Sequence, residues 1–195
     1  MNHHSIIVCF ALFSCARSGA AVIIQQENVA GGAYHFSRGG YGQSFKTDKG
    51  FIASGIELSM KASPFGAFTT TVSMYEYNAA TQTFAGLTPL AVGVIDSKQI
   101  STTQSWVMAQ FSKSVALQPR KTYAFMVTDG MVSSNQFYFS SGDAYKDGAW
   151  LNIGSGGSFT MMNIDSSFKI HAVPEPSSFL ILSIFGASCV VRRKR

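Results

Sequence analysis

Apolar and polar residues alternate with a period of two along most of this chain. The run GIELSMKA sets Ile56, Leu58 and Met60 on one side and Glu57, Ser59 and Lys61 on the other, which predicts a strand with one wet face. SWVMAQFS sets Val107, Ala109 and Phe111 against Trp106, Met108 and Gln110, and SSFKIHAV sets Phe168 and Ile170 against Lys169 and His171. TYAFMVTDG is apolar on both sides, so it predicts a central strand covered on both faces. AVIIQQENV, FTTTVSMYEYN, LAVGVIDSKQI and NQFYFSSG complete the strand set, separated by Gly, Ser, Asn, Asp and Pro. Between the two ends, no segment keeps the apolar period of about 3.6 residues that a helix needs. The pattern predicts an all-β fold, a single antiparallel β-sandwich of about eight to ten strands, jelly-roll-like, over residues 22–173. It predicts no second domain, no repeat of fixed period and no coiled coil.

Both ends break this pattern. Ile6 to Phe13, IIVCFALF, is an apolar run followed by the small residues of SCARSGAAV. That is the layout of a secretory signal peptide, with Ser18-x-Ala20 or Gly19-x-Ala21 suited to signal peptidase, and it assigns residues 1–21 to export. The preceding MNHHS carries no Lys or Arg, only the amino terminus, His3 and His4. Leu12 to Cys15, LFSC, loosely fits a lipoprotein box, although Phe13 is bulky for that motif, so lipidation of Cys15 is a second reading.

At the other end, Phe179 to Val191 holds no charge and only Ser183, Gly186 and Ser188 interrupt it. As a helix the run spans roughly 20 Å at ~1.5 Å per residue, short against a hydrocarbon core of about 30 Å. Arg192, Arg193, Lys194 and Arg195 follow at once, and their long stems can snorkel to extend the span. Four cations at one end also set a positive-inside orientation. Pro174 and Pro176 stop a helix from extending upstream, and Ser177 or Ser178 can cap it.

That order of Pro174-Glu175-Pro176, an apolar helix over 179–191 and the basic Arg192 to Arg195 resembles the PEP-CTERM sorting tail of bacterial envelope proteins. The resemblance assigns residues 174–195 to sorting. It implies recognition at Pro174, Glu175 and Pro176 by an exosortase, a membrane-embedded transpeptidase-like enzyme. It further implies transient insertion in the inner membrane through the C-terminal helix, then transfer of the body to the cell surface or extracellular matrix. The chain would be the substrate of that chemistry and not its catalyst.

Composition follows the same division. The chain carries a net charge of +5 and a pI near 9.2. Between Val22 and Val173, however, 10 Lys and Arg meet 9 Asp and Glu, which leaves the body near +1. No basic stripe remains, so the sequence gives no support for a nucleic-acid partner and none is expected. Cys9, Cys15 and Cys189 all fall in the end segments, so the body has no disulfide and no thiolate chemistry. It must hold itself together by its core, for which about 150 residues suffice.

Within the body, GQSFKTD (Gly42 to Asp48), ALQPRKTYAFMV (Ala116 to Val127), SGDAYKDGAWLN (Ser141 to Asn152) and DSSFKI (Asp165 to Ile170) occur in an order similar to the choice-of-anchor R domain of bacterial surface proteins. That resemblance runs over roughly Tyr41 to Val173. It implies a β-sandwich on an envelope protein and no activity.

The chemistry-bearing residues of the body are few. His35 lies in the glycine-rich GGAYHFSRGGYG, which lacks the Gly-Lys-Ser/Thr ending of a phosphate loop and reads as a flexible loop. His171 alternates with Ile170 and reads as facing solvent. SGDAYKDGAW places Asp143 and Asp147 near Tyr145 and Trp150, a possible ligand-binding group. Two carboxylates there suit acid–base work on a glycoside or Ca²⁺ binding, but Asp with Gly142 and Gly148 is also ordinary turn chemistry. Tyr75 and Tyr77, with Trp106 and Trp150, suit either a sugar-stacking platform or the core. No catalytic residue, metal site or cofactor is assigned. The leading expectation is a non-enzymatic exported envelope or matrix protein that contacts exopolysaccharide, a surface glycan or neighbouring surface proteins. A secreted carbohydrate-active enzyme and a permanently membrane-anchored structural domain are the alternatives.

Overall fold

The computed structural model describes residues 20–35, 40–128, 135–153 and 159–173. The signal segment up to residue 19, Pro174, Glu175 and Pro176, the apolar run 179–191 and Arg192 to Arg195 lie outside the described residues. No helix among the described residues is long and apolar enough to cross a membrane.

The body is all-β and antiparallel. Its strands are β1 (Ala21–Gln26), β2 (Gly32–His35), β3 (Gly40–Lys46), β4 (Phe51–Lys61), β5 (Thr70–Asn78), β6 (Thr83–Phe84), β7 (Ala91–Ile95), β8 (Ser105–Leu117), β9 (Thr122–Thr128), β10 (Gln136–Ser141), β11 (Trp150–Ile153), β12 (Phe159–Met162), β13 (Ile164–Ser166) and β14 (Phe168–Ala172). A 3-10 turn, Ser97–Gln99, is capped by Asp96, whose side chain accepts from the Lys98 N–H. The main hydrogen-bonded path runs β1-β14-β4-β8-β7-β5-β9-β3-β11-β12, with β2, β10 and β13 joined at one side and β6 on β5. The sheet is therefore curled and continuous. Its turning point is β8, whose pairing with β4 shifts register between Ala53 and Gly55 and whose Phe111 pairs with Gly93 of β7. An interrupted ladder lets a long strand bend and serve both halves of the sheet.

The two halves face each other across one core. Phe168 of β14 lies 5.2 Å from Phe125 of β9 and 6.3 Å from Phe45 of β3, ring centre to ring centre. Ile56, Leu58 and Met60 point into that core as expected, and so do Val107, Ala109 and Phe111. β9 is covered on both faces, as its pattern predicts. Tyr123, Phe125 and Val127 join the main core, while Ala124 and Met126 join a smaller cluster with Tyr77 and Leu151, onto which Tyr75 and Phe84 pack.

Three expectations are corrected. The second face of β4 is not uniformly wet: Ser59 is buried, with its Oγ accepting from Gln104 Nε2 at 2.9 Å and its N–H donating to Ser167. His171 is largely covered rather than solvent-facing, with Nε2 3.3 Å from Glu57 Oε2. Within the glycine-rich stretch around His35, residues 32–35 and 40–42 are strand, because β2 pairs with β10 and β3 begins at Gly40, and residues 36–39 lie outside the described residues.

The turn 118–121 between β8 and β9 shows how main-chain groups are settled without disulfides. Thr47 Oγ1 donates to the Gln118 carbonyl, Arg120 N–H donates to the Thr47 carbonyl, and the Tyr123 hydroxyl accepts from Gln118 N–H at 2.8 Å. Arg120 sits at φ 61°, a left-handed conformation unfavourable for a residue with a Cβ. Tyr123→Phe is expected to lower the unfolding free energy by ~1 kcal/mol, because the Gln118 N–H loses its partner. Arg120→Gly is expected to raise it by ~0.5 kcal/mol. Urea unfolding midpoints of the two variants check both signs.

Candidate functional site

The segment between β10 and β11 carries the residues singled out in the sequence. Two glycines let it fold as it does. Gly142 takes φ 78°, and Gly148 lies so close to β3 that a Cβ would meet the Ser44 carbonyl oxygen at 1.8 Å. The loop is then tied down at several points. Gly142 N–H donates to the Asn163 carbonyl at 3.1 Å, and Ala149 N–H donates to Ser44 Oγ at 2.9 Å.

Its principal tie is Asp165, which is 1% exposed. Oδ1 accepts from Gln43 Nε2 at 2.7 Å and Oδ2 accepts from Tyr145 N–H at 2.8 Å. Gln43 Oε1 in turn accepts from Ser166 N–H at 3.0 Å, so one amide joins β3 to β13 in both directions. Burial raises the Asp165 carboxyl above its ordinary value, opposed by the hydrogen bonds from Tyr145 N–H, the Gln43 amide and Ala144 N–H. Nothing in DSSFKI announced this role for Asp165; only the register of β3 and β13 brings Gln43 to it.

Tyr145 is half-buried, edge-on to Phe168 at 5.4 Å and 79°. Burial raises its phenol first, and the negative charge of Asp147 adds to the shift. Asp143 is paired with Lys146 at 2.8 Å. Asp143, Lys146, Asn163 and Asp165 line a shallow polar depression of about 220 Å³. Asp147 lines two other depressions, beside Lys46, and Glu76 is paired with Lys121 at 2.8 Å. Asp143 and Asp165 therefore share a surface, while Asp147 and Glu76 do not join them. Both Asp165 oxygens are already engaged, so the arrangement holds a loop and does not present two open carboxylates. Among the described residues no group of three or more His, Cys, Asp or Glu side chains gathers to hold a metal.

Trp150 is corrected as a ligand-binding residue. It is 0% exposed, packed against Tyr41 at 5.4 Å, Phe137 at 5.9 Å and Phe139 at 6.0 Å. A ring enclosed this way has no face for a sugar. The remaining rings do not form one platform either. Tyr77 is buried, Tyr75 stacks on Phe84 at 4.1 Å, and Trp106 carries the Lys169 ammonium 4.2 Å above its ring. Of the sequence-predicted group, Tyr145, Asp143 and Asp147 remain on the loop and its margins.

Trp150→Ala is expected to cost ~3–5 kcal/mol of stability, read as a fall in unfolding midpoint, because it empties part of the core. Asp165 gives a second expectation. A carboxyl raised in the fold stabilises the folded state below its ordinary value of 3.8, and that contribution is lost as pH climbs through the raised value. Relative to Asp165→Asn, the native domain should therefore lose stability as pH rises above about 3.8 and run parallel to the variant below it. Urea unfolding at a series of pH values checks the divergence.

No protein-family model matches this chain, and no curated protein matches it.

Proposed function

We propose that this chain is a non-enzymatic exported protein of the cell envelope or extracellular matrix, sorted by an exosortase through residues 174–195. Under this reading the curled sheet is a jelly-roll-like sandwich, related to the choice-of-anchor R domains, and serves as cargo and scaffold. The observation that carries the reading is the ordered tail of Pro174-Glu175-Pro176, the uncharged run Phe179 to Val191, and Arg192 to Arg195. Confinement of all three cysteines to the end segments supports it, since a body destined for the envelope and lacking cysteines needs no oxidative folding. Insertion with the four cations retained on the cytoplasmic side leaves the two prolines at the outer boundary, where they hold the motif extended for an enzyme in the same membrane.

Exopolysaccharide contact is assigned to the 142–149 face. The paired Asp143 and Lys146, with Asn163, offer hydrogen-bonding groups around a shallow depression, and the half-buried Tyr145 lies on the same loop.

Two measurements test the proposal. Mass spectrometry of the mature protein from its native host should find no C-terminal peptide containing FLILSIFGASCVV in the matrix fraction. Recovery of that peptide intact overturns processing and favours a permanent anchor. Pro174→Ala with Pro176→Ala should leave insertion unchanged and hold the protein in the inner membrane. A glycan array probed with the body, with and without Ca²⁺, should show binding that Lys146→Ala with Asn163→Ala weakens; no binding in either condition removes the glycan contact.

A further inference from the structure

Both ends of the body emerge side by side. Ala21, the first residue of β1, pairs with Ala172, the last residue of β14. β4 begins at this pole too, since Ala53 pairs with Ala172 and Val173 N–H donates to the Ile52 carbonyl at 2.8 Å. Inward positions here are filled, with Ala53 and Ala172 buried. The outward ones carry apolar side chains that nothing covers among the described residues: Val22 is 41% exposed, Ile52 50% and Val173 40%. Pairing puts them together, because Val22 faces His171, the outward neighbour of Val173, and Ile52 lies beside Val173.

Cations flank this patch. The turns 47–50 and 118–121 are bonded to each other through Thr47, and they present the exposed Lys49 and Arg120 with Asp48 beside them. Ile23, also exposed, lines a depression with Lys46, Lys49, Asp48 and Asp147. Apolar side chains flanked by exposed Lys and Arg are the composition of a surface that lies against lipid headgroups.

We infer that this pole, formed by Val22, Ile52 and Val173 with Lys49 and Arg120, rests on the phospholipid surface while the chain is held by its tail. The inference rests on the sorting-tail reading above. The length of the connection supplies the argument for the occupant. Residues 174–178 separate Val173 from the apolar run, and at ~3.3–3.6 Å per residue they reach no further than roughly 20 Å. A body tethered that closely by this pole meets the bilayer with it at high effective concentration. The patch is small, so contact is expected in the tethered chain and not in the free body. Such contact presents Pro174-Glu175-Pro176 at a set height above the membrane, where a membrane enzyme can reach it.

The test uses residues 22–195, the chain left once the proposed export segment is removed, with Cys189 replaced by Ser, reconstituted in vesicles of zwitterionic and anionic phospholipid that carry a quencher at the glycerol level. An environment-sensitive fluorophore is placed in turn on Ile52→Cys, Val22→Cys and Phe65→Cys. Phe65 is 81% exposed and lies past the far end of β4, ~30 Å from Ile52 at ~3.3 Å per residue. Protease protection of Phe179 to Val191 reports insertion independently. With the tail inserted, quenching of about twofold is expected at positions 52 and 22 and none at 65, and Lys49→Glu with Arg120→Glu should weaken it. An inserted tail with equal emission at all three positions overturns the inference and leaves the sorting reading standing. A probe at 52 shielded from water yet unquenched shows that another chain segment or a second copy covers the pole, which also overturns it. An unprotected tail removes the sorting reading, and this inference falls with it.

Discussion

Phe168 packs against Phe125 and Phe45 from the opposite half of the sheet and receives the edge of Tyr145 from the loop above it. It belongs to β14, which is the last strand of the body and lies between β1 and β4. Without this strand β1 loses its partner among the described residues, β4 keeps only β10 at Met60 and Lys61 on that side of its ladder, and the three-ring contact at the centre of the core is gone. A body with no cysteine has no covalent closure to substitute for that contact. Burial of a phenylalanine at such a junction contributes ~1.5–3 kcal/mol before its aromatic neighbours are counted. The fold therefore closes only when its final residues are in place.

The polar side of that closure is the buried group just before β14. Asp165 and Gln43 bind each other, Gln43 takes the Ser166 N–H, and Ser167 Oγ donates to the Asn28 carbonyl at 2.6 Å. These contacts link β3, the loop after β10, the segment after β1 and the closing strand. A buried acid is tolerable there because fixed donors surround it on both oxygens. The same contacts hold the 142–149 loop against the core, so its outer side chains are displayed on a fixed frame.

Antiparallel pairing of the first and last strands has a geometric consequence for the proposed sorting. It delivers both ends of the body to one pole, and the apolar and cationic side chains of that pole lie beside the chain that continues into the tail. The glycine-bearing loop is tied to β3 and β13, and its Tyr145 and Asp147 line a depression shared with Ile23 of β1 and Lys49, so the proposed glycan face borders that pole.

The sequence by itself determined the strand class, the central place of β9 and the inward faces of β4, β8 and β14, because a period of two assigns side chains to faces whatever the partner strand. It also determined that the body has no disulfide and that the cysteines and the excess of positive charge lie at the ends. Trp150 was beyond its reach: β11 runs only from Trp150 to Ile153, and its alternation does not say which side meets the core until Trp150 pairs with Gln43 of β3. Asp165 was hidden for the same reason, since its amide partner is 122 positions away in the chain. Local periodicity records what each strand offers. Only the register of distant strands decides what it meets, and so tertiary structure alone buried the tryptophan, enclosed the aspartate and brought Val22, Ile52 and Val173 to one pole.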